Sequence, residues 1–99
     1  MSKTIYKNVL LRGAITDITV ENGKIVSLTK TDRDGTDMGG LTAFAGLIDI
    51  HNHGALGLDV TYNVNAVEVV SDYLAQHGIT AWYPTTQTDD IAVIRKATE

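Results

Sequence analysis

Ninety-nine residues make at most one small domain, and a 43% hydrophobic content is that of a globular chain rather than a disordered one. A formal net charge of −4, with no run of five like charges, argues against a nucleic-acid binder and against a polybasic membrane tail. The lack of cysteine excludes disulfides and thiolate metal sites and fits a reducing cytoplasm. The first eight residues have no apolar signal core, and no stretch reaches the roughly 18 apolar residues of a membrane helix. A cytoplasmic protein with no membrane and no nucleic-acid partner is expected.

The first third reads as short strands. Ile5 to Arg12 is apolar-rich and ends at Gly13, and Ile15, Ile18 and Val20 alternate imperfectly with polar residues. Asn22-Gly23 supports positive φ at both central turn positions, and Lys24-Ile25-Val26-Ser27-Leu28 alternates again, so residues 14–29 are predicted as a hairpin. The polar, glycine-rich stretch 30–40 reads as a loop and a candidate domain boundary.

Leu41 to Ile50 is almost continuously apolar, and Leu47–Ile50 reads as a strand buried on both faces, as in a parallel sheet. It runs into His51-Asn52-His53-Gly54. A helix is predicted over 65–77, with Asn65 as N-cap, Glu68 in the capping-box position and Gly78 as the stop. Its apolar face is Ala66, Val69, Val70, Tyr73, Leu74 and His77. Ile79–Pro84 reads as a second strand. Thr88 is placed to cap a last helix, with Asp89 and Asp90 early and Arg95 and Lys96 late, a distribution that suits the helix dipole. Residues 46–99 therefore spell strand, loop, helix, strand, helix: a βα repeat of a parallel α/β fold.

His51 and His53 carry the chemistry. Residues i and i+2 of a strand point the same way, so two imidazoles converge where an apolar strand ends. Imidazole nitrogens suit zinc, iron and similar ions, and in parallel barrels functional groups gather at that end of the strands. The plain alternative is a pair of surface histidines, since a bare His-x-His is a weak motif. Asp49, two residues earlier, shares the inward face and is a candidate support for the site. Thr86, with Thr85, lies at the mouth of the second strand as another candidate. Asn52 points the other way and reads as a loop or packing contact, Asp59 as a turn residue, and His77 as a helix-end residue.

The segment Gly46-Leu47-Ile48-Asp49-Ile50-His51-Asn52-His53-Gly54 resembles the first barrel strand of the amidohydrolase superfamily. The hairpin Ile18-Thr19-Val20-Glu21-Asn22-Gly23-Lys24-Ile25 is similar to the small β-sandwich that often opens such chains. Gly54-Ala55-Leu56-Gly57-Leu58-Asp59-Val60, His77-Gly78-Ile79-Thr80 and Tyr83-Pro84-Thr85-Thr86-Gln87-Thr88 narrow the resemblance to the N-acetylglucosamine-6-phosphate deacetylases. Ala45 departs from it, standing where the family commonly has proline.

The resemblance implies an α/β fold. Residues 1–45 would be strands of a small β-sandwich, and residues 46–99 the first two βα units of a (β/α)₈ TIM barrel. It implies a divalent metal, zinc first and iron or another ion next, held by His51 and His53. It also implies hydrolysis of an amino-sugar phosphate to glucosamine 6-phosphate and acetate, by a parent that is a homo-oligomer, a dimer. The catalytic residues would come from later strands, so the 99-residue chain alone is expected to be inactive. Two other readings stay open at this point. One is another amidohydrolase: dihydroorotase-like, a cyclic amidase or a deaminase. The other is a non-catalytic binding or assembly module.

Overall fold

The computed structural model describes residues 2–99. The chain is a small α/β protein, mostly strands with two helices, and it divides into two compact units, Met1–Ala45 and Gly46–Glu99.

The first unit is one four-stranded sheet. Its strands are β1 (Lys3–Leu11), β2 (Ala14–Glu21), β3 (Lys24–Ser27) and β4 (Thr36–Asp37), in the order β3-β2-β1-β4. β1–β2 and β2–β3 are antiparallel, and the two-residue β4 lies parallel to β1 within the stretch read as loop. The Asn22-Gly23 turn forms as its residues dictate. Both have positive φ, 51° and 75°, the combination whose twist matches that of the flanking strands.

The buried face of β2 differs from the apolar pattern. Asp17 and Thr19 are buried beside Ile5 and Val9 of β1, whereas Ile15 is 48% exposed. The cause is a bulge in β1. Tyr6 pairs with Ile18 and Val9 with Thr16, so Lys7 and Asn8 together face the single residue Asp17. A bulge leaves a backbone group without its ladder partner. Asp17 supplies one: its Oδ1 accepts the Asn8 N–H and its Oδ2 the Thr31 N–H, both at 2.9 Å. Lys30 Nζ donates to Asn8 Oδ1 at 2.7 Å and lies 3.4 Å from Asp17 Oδ1. An inward carboxylate therefore joins the bulge to the loop after β3.

The N–H groups of Asn8 and then Thr31, with a smaller contribution from Lys30, hold the Asp17 carboxyl below the usual value of 3.8. A depressed folded-state pKa contributes stability above the unfolded value, and that stability is lost as pH falls through the folded one. Asp17→Asn places an amide donor where two N–H groups need acceptors. Its thermal midpoint is expected to fall by roughly 10 °C at neutral pH. The gap to the parent should close below about pH 4. Circular-dichroism melts across an acid pH series check both, and a gap that persists unchanged to low pH would refute the assignment.

The second unit contains β5 (Leu47–Asn52), β6 (Gly54–Ala55), β7 (Leu58–Asp59), α1 (Ala66–Ala75), β8 (Ile79–Pro84) and α2 (Ile91–Thr98). β5 and β8 are parallel, with Leu47 opposite Ile79, Ile48 opposite Ala81 and Asp49 opposite Trp82. β6 and β7 form a tight hairpin immediately after His53. α1 buries Ala66, Val70 and Leu74, one stripe at four-residue spacing. Fully burying Val70 contributes about 2 kcal/mol. Trp82 Nε1 donates to Ser71 Oγ at 2.9 Å and ties α1 to β8. Val69, expected on the inner face, is 47% exposed.

α1 starts directly after Asn65, the expected cap position, but both helix starts lack the side-chain cap. Asn65 precedes α1 but makes no side-chain cap, because its own backbone is already helical (φ −77°, ψ −12°) and a capping side chain needs an extended backbone. Its N–H is taken instead by Asn63 Oδ1 at 3.0 Å. α2 starts after Asp90 rather than Thr88, again without a side-chain cap.

β5 is not buried on both faces. Leu47 is 54% exposed, Ile48 66% and Ile50 73%. Two-sided burial of a parallel strand needs a layer on each face. Among the described residues of this unit β5 has β8 as its one ladder partner, and α1 packs on β8 and the β6–β7 hairpin.

Candidate metal centre

β5 delivers His51 near its end, and His53 follows one residue beyond it. The structure brings the two rings together. Their Nε2 atoms are 3.4 Å apart, with ring centroids 5.0 Å apart and planes at 89°. Two nitrogens bound tetrahedrally to one ion at about 2.0–2.1 Å would themselves be about 3.3–3.4 Å apart. The pair therefore has the spacing of two ligands of a single ion.

The protonation pattern also fits. His53 Nδ1 contacts the Thr85 carbonyl oxygen at 2.7 Å. A carbonyl only accepts, so Nδ1 carries the proton and Nε2 keeps its lone pair. This is the outer-sphere bond that metal-binding histidines generally make. The His51 Nε2 faces that lone pair at 3.4 Å, and with its own proton on Nδ1 it would offer a second lone pair to the same ion.

Asp49 works on the main chain. Its Oδ1 accepts the His51 N–H at 3.1 Å and its Oδ2 accepts Asn52 Nδ2 at 2.9 Å. Asn52, and after it the His51 N–H, keep this carboxyl below its usual value. Asn52 does more than the packing expected of it, because its Oδ1 accepts the Gly54 N–H at 2.8 Å. Asp49 and Asn52 together shape the turn that carries both histidines.

Thr86 lines a concavity of about 400 Å³ together with His51, His53, Thr85, Gln87 and Thr88. The segment after β8 that forms this wall is stitched to the segment after β7. Gln87 N–H donates to Thr61 Oγ1 at 2.8 Å, Gln87 Nε2 donates to Asp59 Oδ2, and Tyr62 OH donates to Asp89 Oδ2 at 2.7 Å. Asp59 also takes the Thr61 N–H at 2.8 Å, as a turn residue does. Thr61, chiefly, and then Gln87 hold its carboxyl below the usual range. Asp89 raises the Tyr62 phenol above its usual value.

Gln87 and Thr61 were invisible as site residues in the sequence. They lie 26 positions apart, Gln87 inside the Tyr83–Thr88 motif and Thr61 outside any, and only the folded loops bring them together. His77 stays apart from the pair, as expected: its Nδ1 meets the Tyr73 carbonyl at 2.9 Å at the end of α1. Among the described residues no third His, Cys, Asp or Glu completes a metal-binding group. No helix among them is long and apolar enough to cross a membrane.

The structure thus defines an α/β chain with a two-imidazole donor pair at the end of a parallel strand. No family model matches the chain. It is similar to the N-acetylglucosamine-6-phosphate deacetylase of Vibrio furnissii, with 37% identity over 82 residues. The match takes in 78% of this chain and 21% of that protein, so the chain spans about a fifth of the relative's length. The resemblance to that family seen in the motifs accordingly extends over most of the chain.

Proposed function

We propose that the chain is the N-terminal portion of a metal-dependent N-acetylglucosamine-6-phosphate deacetylase. Residues 1–45 are then strands of a small β-sandwich domain, and residues 46–99 the first two βα units of a (β/α)₈ barrel. His51 and His53 are two of its metal ligands. The observation that carries this reading is the 3.4 Å Nε2–Nε2 separation at the end of a parallel strand, in a chain similar to a protein of that name. A divalent ion held there by His51 and His53, zinc by preference, would supply Lewis-acid polarisation of the acetamide carbonyl. The chain's own residues do the rest. Asp49 and Asn52 hold the ligand-bearing turn, the Thr85 carbonyl orients His53, and Thr86 stands in the wall where an amino-sugar phosphate would lie.

Hydrolysis adds water across the acetamide C–N bond, so the carbonyl carbon leaves as acetate and the nitrogen stays on glucosamine 6-phosphate. Two imidazoles leave an ion mostly solvated, whereas catalytic zinc sites use about three protein ligands. The 99-residue chain is therefore expected to release no acetate from N-acetylglucosamine 6-phosphate. A polypeptide that also carries the downstream reading frame is expected to do so. Assay of both against this substrate and against a cyclic amide decides the matter. Turnover of the cyclic amide alone would move the parent to another amidohydrolase class, and turnover of neither would favour a binding or assembly module.

A further inference from the structure

The wall beside the two histidines is fixed in a way their spacing does not require. Thr85 continues the β5–β8 ladder: its N–H donates to the Asn52 carbonyl at 2.8 Å, and its Oγ1 accepts the Asn52 N–H at 3.3 Å. Its own carbonyl accepts from His53 Nδ1. Beyond Thr85 the chain has no regular structure until α2 begins at Ile91. Two residues on, Gln87 is held twice, by its backbone N–H on Thr61 Oγ1 and by its side chain on Asp59 Oδ2. Thr61 is 3% exposed, so this anchor is a buried one. On the other side, the Val60 N–H donates to the His53 carbonyl at 2.9 Å. His53 is thus gripped through its main chain by the segment after β7 and through its ring by the segment after β8, and Gln87 joins the two segments.

We propose that Gln87 is a positioning residue for the metal pair. By locking the 85–87 segment onto Asp59 and Thr61, it holds the Thr85 carbonyl against His53 Nδ1 and so presents the Nε2 lone pair toward His51. A carboxylate only accepts, which fixes the Gln87 amide with its nitrogen toward Asp59. Without that tie, the nearest remaining anchor of the segment carrying the Thr85 carbonyl is four residues on, where Tyr62 OH donates to Asp89 Oδ2. The ring can then exchange its proton between the two nitrogens, and a ring protonated on Nε2 cannot bind an ion through that atom. The role of Gln87 toward the ion rests on the reading of His51 and His53 as ligands. Its role toward the ring does not.

The test uses the 99-residue chain labelled with nitrogen-15, and two near-isosteric variants, Gln87→Met and Thr61→Val. Long-range proton–nitrogen correlation spectra at mildly alkaline pH report which ring nitrogen of His53 bears the proton, with no metal present. The parent is expected to show the Nδ1–H form alone, and each variant a mixture. Cobalt(II) titration, followed by visible absorption, is expected to show about 10-fold weaker binding in the variants. A His53 ring that stays wholly Nδ1–H in both variants overturns the proposal, whatever happens to the metal affinity. If the parent binds no cobalt(II) while the variants still show mixed protonation, the ligand reading fails and the positioning role stands.

Discussion

Alanine in place of either His51 or His53 is expected to remove measurable cobalt(II) binding by the 99-residue chain. The pair offers two imidazole nitrogens 3.4 Å apart, and no third His, Cys, Asp or Glu joins them among the described residues. Each substitution therefore halves the protein's share of the coordination sphere. Loss of an outer-sphere partner already costs about 10–100-fold in affinity, so loss of a donor should exceed about 100-fold. His77→Ala is the control. That ring sits at the end of α1, bonded to the Tyr73 carbonyl and 4.5 Å from the Tyr73 ring, and its removal should leave the titration unchanged. Visible absorption separates the cases, because cobalt(II) held by imidazoles in a low-symmetry site absorbs differently from the hexaaqua ion. Retention of binding in His51→Ala, or its loss in His77→Ala, would show that the two rings are not the ligands.

The local features legible in the sequence are those that neighbouring residues decide among themselves. Asn22-Gly23 dictates a turn with two positive φ values, and the turn is there. Ala66, Val70 and Leu74 share a helical face at four-residue spacing, and that face is the buried one. His51 and His53 are two apart on a strand end, and their rings meet. Features that depend on distant partners were not legible. Asp17 is one of the polar residues that make the alternation of β2 imperfect, and it is buried because Asn8 in the neighbouring strand bulges and leaves an N–H needing an acceptor. Asn65 reads as a capping residue, but its backbone is already helical and its N–H is claimed by Asn63. Ile48 and Ile50 read as buried, yet burial is a property of what covers a residue, and β5 is covered on neither side by a complete layer of this unit. The clamp through Gln87 belongs to the same class, since its partners lie 26 and 28 positions away and half of it is main chain.

Gly54→Ala is expected to be the most damaging small substitution in the second unit. Gly54 directly follows His53 and has φ +142°, a backbone state essentially closed to residues with a Cβ. The geometry adds a second obstacle. A Cβ at this position would fall on the Leu58 carbonyl oxygen, a main-chain atom of the paired strand β7 that cannot turn aside as a side chain could. Backbone strain of about 1–3 kcal/mol and a backbone clash act together, so a loss of about 3 kcal/mol or more is expected. Gly57→Ala makes the comparison decisive. Gly57 lies in the same hairpin with φ +74°, but a Cβ there meets nothing within 4 Å, and its neighbour Leu56 already holds φ +57°. That substitution should cost only the left-handed penalty, about 1 kcal/mol. Thermal melts of the two variants should therefore differ by well over 5 °C, with Gly54→Ala the lower. The His51–His53 arrangement should follow it down, because the Gly54 N–H is the group through which Asn52 and Asp49 brace the turn. Equal melting of the two variants would mean that the hairpin after His53 can move aside without loss, and that it does not hold the pair in place.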